Sequence, residues 1–396
     1  DAPQQLLVEV LAKELEKNYS VALFVAERGT TTKEVVYALE RQGFIRPRLA
    51  DESDKRTVYM VDMHEPLMFL HNLETTIKEP FASNPAVLDA IEKNHRKLQI
   101  AMTKLYPGNL VISLSSGVMH HRLVDRITAL NDVPREPLVP RRLGKNMCVP
   151  FGKILRGKVV PNTVTKTLHT DKVYEPDLNS FTIEPFPYYS PLKSQIETIK
   201  SFDRPVILVD DLVHKADRLQ VLVPQLREDG IPIRKVVVGV LSGYGRDLMQ
   251  CLKVPVESIY SMPNLRHWFV ESTLYPFIGG DTVRREEMKV AGLQPSINMI
   301  LPYATPRLSG CSREALVEFS ACCIENSKNL FQVLEAEYRK MYAKNLTLSR
   351  LSEAVILPLC PDKGSCMEYD ENLAASVYLE NDLETLWRMK EFMIKG

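Results

Sequence analysis

The chain has no surplus charge of either sign: its 396 residues carry 50 Lys and Arg against 50 Asp and Glu. With no net field, charge gives no global argument for nucleic acid or an anionic membrane as partner. No apolar run approaches the roughly 20 residues needed to cross a bilayer, so no membrane association is expected. No signal-peptide pattern is visible. The first residue is Asp1 rather than Met, which leaves a fragment, a processed product and a trimmed chain as readings of its start. The seven cysteines, at 148, 251, 311, 322, 323, 360 and 366, lack metal-ligand spacing. Their odd number without a framework fits a reducing compartment, and a cytoplasmic location is expected. Cys322-Cys323 lies in an apolar helical pattern and reads as core. There is no internal repeat. What is present is the composition of an ordinary globular protein, 45% hydrophobic and 25% charged, at a length that suggests two or three domains.

The most informative stretch runs from Arg204 to Asp217. Val206-Ile207-Leu208-Val209 is a short continuous apolar run, the pattern of a parallel strand buried on both faces. It ends on the adjacent carboxylates Asp210-Asp211. An amphipathic segment, Arg218 to Glu228, follows, closed by Asp229-Gly230. Strand, acidic loop and helix form half of a βαβ unit, and open α/β sheets bind ligands at the carboxyl ends of their strands. The alternative is that Asp211 or Asp217 only caps the following helix.

A second such unit precedes it. Asn109 to Val118 reads as a strand ending in Ser115-Ser116-Gly117, with a helix from about Met119 to Leu130; small residues at a helix N-terminus let backbone amides approach an anion. Residues 131–180 have little periodicity and are basic: between Arg141 and Lys172 eight Lys or Arg (141, 142, 145, 153, 156, 158, 166 and 172) face one acid, Asp171. A basic loop suits a polyanionic substrate over which it can close; a solvated surface loop and a nucleic-acid contact are the other readings. Aromatic interleaving is poor, which argues against single-stranded nucleic acid. Further on, Phe181–Glu184 reads as a strand, 190–202 as a helix opened by Ser190-Pro191, 234–241 and 256–260 as strands. The alternation from 109 to 260 implies one parallel sheet with right-handed crossovers. Residues 64–106 read as helical connectors, one opening at Asn84-Pro85 and stopped by Pro107-Gly108; His71 and His95 there read as lone helical histidines, partly exposed or satisfied. Helices are expected at about 311–345 and 371–394.

Val206 to Asp211 resembles the ribose-phosphate loop of the type I phosphoribosyltransferases, in which four apolar residues and two acids precede a short loop of small and hydroxyl residues. The resemblance covers about residues 109–285. It implies an α/β fold, a parallel sheet of phosphoribosyltransferase type with helices on both faces. It also implies an enzyme of nucleotide metabolism that binds Mg²⁺ and phosphoribosyl pyrophosphate (PRPP), or a related sugar phosphate. Such an enzyme moves the phosphoribosyl group to an acceptor, here unidentified, and releases pyrophosphate. By the same resemblance Asp210 and Asp211 hold the ribose hydroxyls and reach Mg²⁺ through substrate or water. Val213, His214, Lys215, Ala216 and Asp217 hold the 5′-phosphate. Ser115, Ser116 and Gly117 receive pyrophosphate, assisted by Arg122. Lys153, Arg156 and Lys158, with Lys145 and Lys166, close over the leaving group, and Trp268 or Phe269 stacks on the base. A plain core or interface role is the other reading of those aromatics. The chain departs from the family where His214-Lys215-Ala216-Asp217 replaces Thr-Thr-Gly and a further Thr. That departure favours a rival, a non-catalytic sensor or assembly module of this fold. A third reading is a different α/β enzyme acting on a sugar phosphate.

Residues 1–65 alternate helix (4–17), strand (21–25), helix (30–42, closed by Gly43), charged loop (46–56) and strand (57–63). This order resembles the C-terminal half of a GNAT-type N-acetyltransferase, without that family's acetyl-CoA pyrophosphate loop, so acetyl transfer is not assigned; a generic α/β cap is the other reading. The expected division is therefore 1–65, an acetyltransferase-like segment; 66–107, a helical connector; 108–310, the phosphoribosyltransferase-like domain; and 311–396, a helical extension that packs on the sheet or makes a homodimer.

Overall fold

A computed structural model describes residues 46–48, 58–60, 62–140, 142–152, 154–155, 158–187, 189–285, 290, 292–306, 308–363 and 368–395. The chain forms two compact units, one of Asp1–Ser113, Arg266–Asp281 and Arg285–Gly396, the other of Leu114–Leu265 and Thr282–Arg284. The helices expected at 4–17 and 30–42 and the strand at 21–25 lie outside the described residues, as do Lys153 and Arg156.

In the first unit, β1 (Arg46–Arg48) pairs antiparallel with β2 (Val58–Met60), so the charged loop expected at 46–56 begins as a strand. β3 (Asp62–His71) replaces the first helical connector: Leu67 to Leu70 are all buried, a four-residue apolar run that fits a buried strand as well as a helix. α1 (Pro85–Leu105) begins where Asn84-Pro85 predicts, with the Asn84 side chain accepting from the Ala86 and Val87 amides. β4 (Asn109–Ser115) is hydrogen-bonded to β3 in a three-stranded sheet. The alternation had assigned it to the same sheet as the acidic strand; pairing partners are set by tertiary packing, which a local pattern does not encode.

The second unit opens with α2 (Ser116–Leu130), which follows β4 without a loop. β5 (Met147–Pro150) and β6 (Val164–Thr165) lie within the stretch that showed no periodicity, as does β7 (Thr170–Tyr174), which pairs antiparallel with β8 (Phe181–Pro185). α3 (Leu192–Lys200) starts one residue later than Ser190-Pro191 suggests, with Pro191 itself at the cap position. β9 (Val206–Val213), α4 (Asp217–Glu228), β10 (Ile233–Ser242), α5 (Gly243–Cys251) and β11 (Val256–Met262) alternate as expected. Five strands form one sheet in the order β11-β10-β9-β5-β6, parallel at every pairing. Val206 to Val209 are all fully buried. Val206, Leu208, Val236 and Val238 share a core with Ile196 and Ile199 of α3 and Leu219, Leu222 and Leu226 of α4, while α2 packs on β10 and β11. Helices on both sides explain why the strand reads as an unbroken apolar run.

The chain then returns to the first unit. β12 (His267–Val270) pairs parallel with β3 and leads into the short α6 (Glu271–Leu274). β13 (Asp281–Val283) pairs parallel with β7 through Thr282 and Val283 of the second unit. β14 (Gln294–Ile297) pairs parallel with β15 (Leu359–Pro361). α7 (Arg313–Tyr342) starts at the Ser312 cap and packs against α1 and against α8 (Ala375–Lys395). The buried Asn94 and Asn326 amides of α1 and α7 each donate to the other's backbone carbonyl, at 2.8 and 3.0 Å. Cys323 is fully buried, in keeping with the core reading, whereas Cys322 is half-buried, with desolvation pushing the Cys322 thiol up to about 12. Among the described residues no helix is long and apolar enough to cross a membrane.

Candidate functional site

The strand order creates a switch point. From β5 the chain goes to β6 on one side; β9 lies on the other side of β5 and leads away to β10 and β11. At such a point the connections diverge and open a crevice beyond the carboxyl ends of the two strands, where open α/β sheets bind ligands. Both central strands bring notable groups to it. β5 ends at Pro150, and the Phe151 amide continues the ladder to the Val209 carbonyl at 3.0 Å. Gly152 follows, and β9 delivers Asp210-Asp211.

Side chains alternate along a strand. Asp210 therefore follows Val206 and Leu208 toward α4, and Asp211 takes the opposite face. Asp210 is 4% exposed. It accepts from the Asp211 amide at 2.9 Å and lies 3.9 Å from Arg218 Nη1 of α4. It also sits directly against Gly152: a Cβ placed there would fall 1.6 Å from Oδ1. Burial first, and then the charge of Asp211, hold the Asp210 carboxyl well above the usual range, with Arg218 pulling the other way.

On the opposite face Gly239 of β10 is aligned with Asp211, between the register pairs Val238–Asp210 and Val240–Leu212. A Cβ at Gly239 would meet Met119 Sδ at 2.2 Å and the Asp211 carbonyl at 2.7 Å. The missing side chain thus lets the first turns of α2 settle beside the acidic pair. Ser115 is the cap residue of α2, Ser116 is buried and Gly117 is in the first turn, with no side chain capping the helix. The three residues form a strand-to-helix junction rather than the expected loop. In the next turn His120 is lowered to about 4, by burial first and then by the positive charges of Lys158, His121 and Arg135. Lys158, in the β5–β6 connection, is thereby near α2. Arg122 lies over the Tyr260 ring, 5.5 Å from its centroid.

The segment after the acids is short. Val213 is buried and still in β9. His214 Nδ1 is 2.8 Å from Ser242 Oγ, the hydroxyl that also caps α5 by accepting from the Gly245 amide at 3.0 Å. Lys215 is exposed. Ala216 adopts φ 53°, left-handed backbone that favours glycine. Asp217 begins α4 and pairs with Lys172 Nζ at 3.5 Å, and no side chain caps the helix. An uncapped helix N-terminus offers amide donors to an anion; the Asp217 carboxylate competes for the same field.

The second unit thus gathers Asp210, Asp211, the 213–217 segment and the α2 N-terminus, and carries Lys158 in its β5–β6 connection. Trp268 belongs to the first unit, in β12 beside Met68 of β3. The sequence reading missed β5 and Gly152, which complete the crevice. The available signal was slight: five apolar or Pro residues, Met147 to Phe151, stopped by a glycine.

No family model matches the chain, and no curated protein matches it. Among solved structures it is similar to the crystal structure of a purine phosphoribosyltransferase from Pyrococcus horikoshii Ot3, with a TM-score of 0.24 and 14% identity over 39% of this chain and 87% of that one. The chain is an α/β protein with parallel-rich sheets and helices on both sides of the β11-β10-β9-β5-β6 sheet.

Proposed function

We propose that the β5/β9 crevice binds a ribose phosphate, with PRPP as the best fit, and that the chain is a phosphoribosyltransferase-like enzyme. One observation carries the reading: two adjacent carboxylates at the switch point, followed after the short Leu212–Ala216 segment by a helix N-terminus that no side chain caps. Carboxylates are suited to the vicinal hydroxyls of ribose, and amide donors to its 5′-phosphate. Asp211 accepts from a ribose hydroxyl; Asp210, held toward its protonated form, donates or accepts. The amides at the start of α4, with Lys215, receive the 5′-phosphate. The α2 N-terminus, Lys158 and the other cations of the β5–β6 connection offset the charge of the leaving pyrophosphate. Mg²⁺ suits this donor set as an ion held mainly by pyrophosphate oxygens and water; when bound it neutralises the leaving group. The protein's part is alignment and charge stabilisation while the C1–O bond breaks.

A second reading, binding without turnover, is favoured by the Asp217–Lys172 pair and by Ala216 in left-handed backbone, both of which make the phosphate cradle less receptive. Calorimetric titration of PRPP with Mg²⁺, against ribose 5-phosphate, tests both for the wild type and Asp211→Asn. Binding of PRPP that the variant loses, together with pyrophosphate release in an acceptor screen, is expected for the enzyme. Binding without release supports the sensor, and no binding of either compound refutes both.

A further inference from the structure

The first unit gathers a second set of chemically competent side chains from three separate elements. His71 ends β3, His95 lies in α1, and Glu271 begins α6. Their ligand-capable atoms all lie within 4.8 Å of one another. Glu271 is fully buried. Its Oε1 is 2.7 Å from His95 Nδ1 and accepts from the Tyr275 hydroxyl at 3.1 Å. Its Oε2 faces His71 Nδ1 at 3.6 Å, and both of these atoms are buried without a hydrogen-bond partner among the described residues. The two imidazoles lie 4.0 Å apart, centroid to centroid.

A buried carboxylate oxygen and a buried imidazole nitrogen left facing each other are costly unless something joins them. A metal ion satisfies both atoms. Its outer support is already in place. His71 Nε2 contacts the Ser113 hydroxyl, which also accepts from Gln99 Nε2 at 3.0 Å, while Tyr275 holds the carboxylate. Metal-ligating histidines are fixed by such bonds from their other ring nitrogen. Two imidazoles and one carboxylate are a donor set for zinc and related first-row ions with one position left open. The His71 and His95 side chains are 15% and 17% exposed, so water reaches the imidazole side of the cluster.

We propose that His71, His95 and Glu271 bind one divalent transition-metal ion of the Zn²⁺ class, with an open position for water. The site is independent of the ribose-phosphate reading and is tested without reference to it.

The full chain, stripped by chelator, is titrated with Co²⁺ and followed by visible absorption, then challenged with Zn²⁺. One Co²⁺ per chain, with d–d bands abolished by Zn²⁺, is expected. His71→Ala and His95→Ala, checked for fold by circular dichroism, are expected to weaken binding by more than the roughly 10–100-fold that outer partners are worth, and Ser113→Ala within that range. X-ray absorption of wild-type Co²⁺ protein adds a readout free of any folding defect, and imidazole scattering is expected. Failure of the wild type to bind one ion, absence of imidazole scattering, or unchanged binding in both folded histidine variants would overturn the assignment.

Discussion

Gly152→Ala is the sharpest test of how the crevice is built. The added methyl would lie 1.6 Å from Asp210 Oδ1, 2.6 Å from Cγ and 3.4 Å from Oδ2, so the whole carboxyl group must move. That group is not a flexible tip: it is buried and held by the Asp211 amide. Gly152 does not use left-handed backbone, so the cost is steric rather than conformational. Overpacking of this kind costs about 1–3 kcal/mol. With an m-value of about 2 kcal/mol/M, the urea midpoint falls by about 0.5–1.5 M. The decisive comparison is a double-mutant cycle with Asp210→Ala. Once the carboxyl is gone, its three atoms no longer obstruct the methyl, and Gly152→Ala should cost little in that background. A coupling of about 1–3 kcal/mol is expected, within the range for residues in direct contact. Under the proposed ribose-phosphate reading, the same substitution should also weaken PRPP binding, because it displaces one carboxyl of the acidic pair. A neutral Gly152→Ala, or equal costs with and without the Asp210 carboxyl, would refute the packing on which the site rests.

Asp210→Asn should stabilise the protein at neutral pH. The folded-state pKa of Asp210 lies above the unfolded value, so the folded state holds the proton more tightly and wild-type stability falls as pH rises from about 4 through the folded pKa, by up to about 1.4 kcal/mol per pH unit. The Asn variant lacks this loss, so unfolding measured at pH 4 and pH 7 should show the two proteins similar at the lower pH and the variant more stable at the higher; a variant less stable at pH 7 would mean that Asp210 is natively ionised and paired. Ser242→Ala removes the cap of α5 and the partner of His214 together. It should cost about 1–2 kcal/mol in thermal unfolding, and an unchanged melting temperature would show that the hydroxyl does neither.

Much of the second unit was legible because its signals are local. Val206 to Val209 of β9 are buried, so this part reads as an apolar run, but the strand continues through the two acids to Val213, beyond the end that the run suggests. In the first unit, Asn84-Pro85 marks a helix start by satisfying amides within the same turn. β5 was not legible: four residues, one of them proline, are too few for a period, and the strand is held by pairing to Val206–Val209 far along the chain. β3 was misread because an apolar run of four is compatible with either element.

The sequence by itself determined the β/α alternation around Asp210-Asp211, the helical C-terminal segment and the buried character of Cys323, all of which follow from periodicity and composition within a short window. Tertiary structure alone decided that β4 pairs with β3, that Gly152 admits the Asp210 carboxyl, and that His71, His95 and Glu271 meet. His95 and Glu271 are 176 positions apart. Each is unremarkable in its own segment, and only the packing of β3, α1 and α6 sets the directions in which those side chains point.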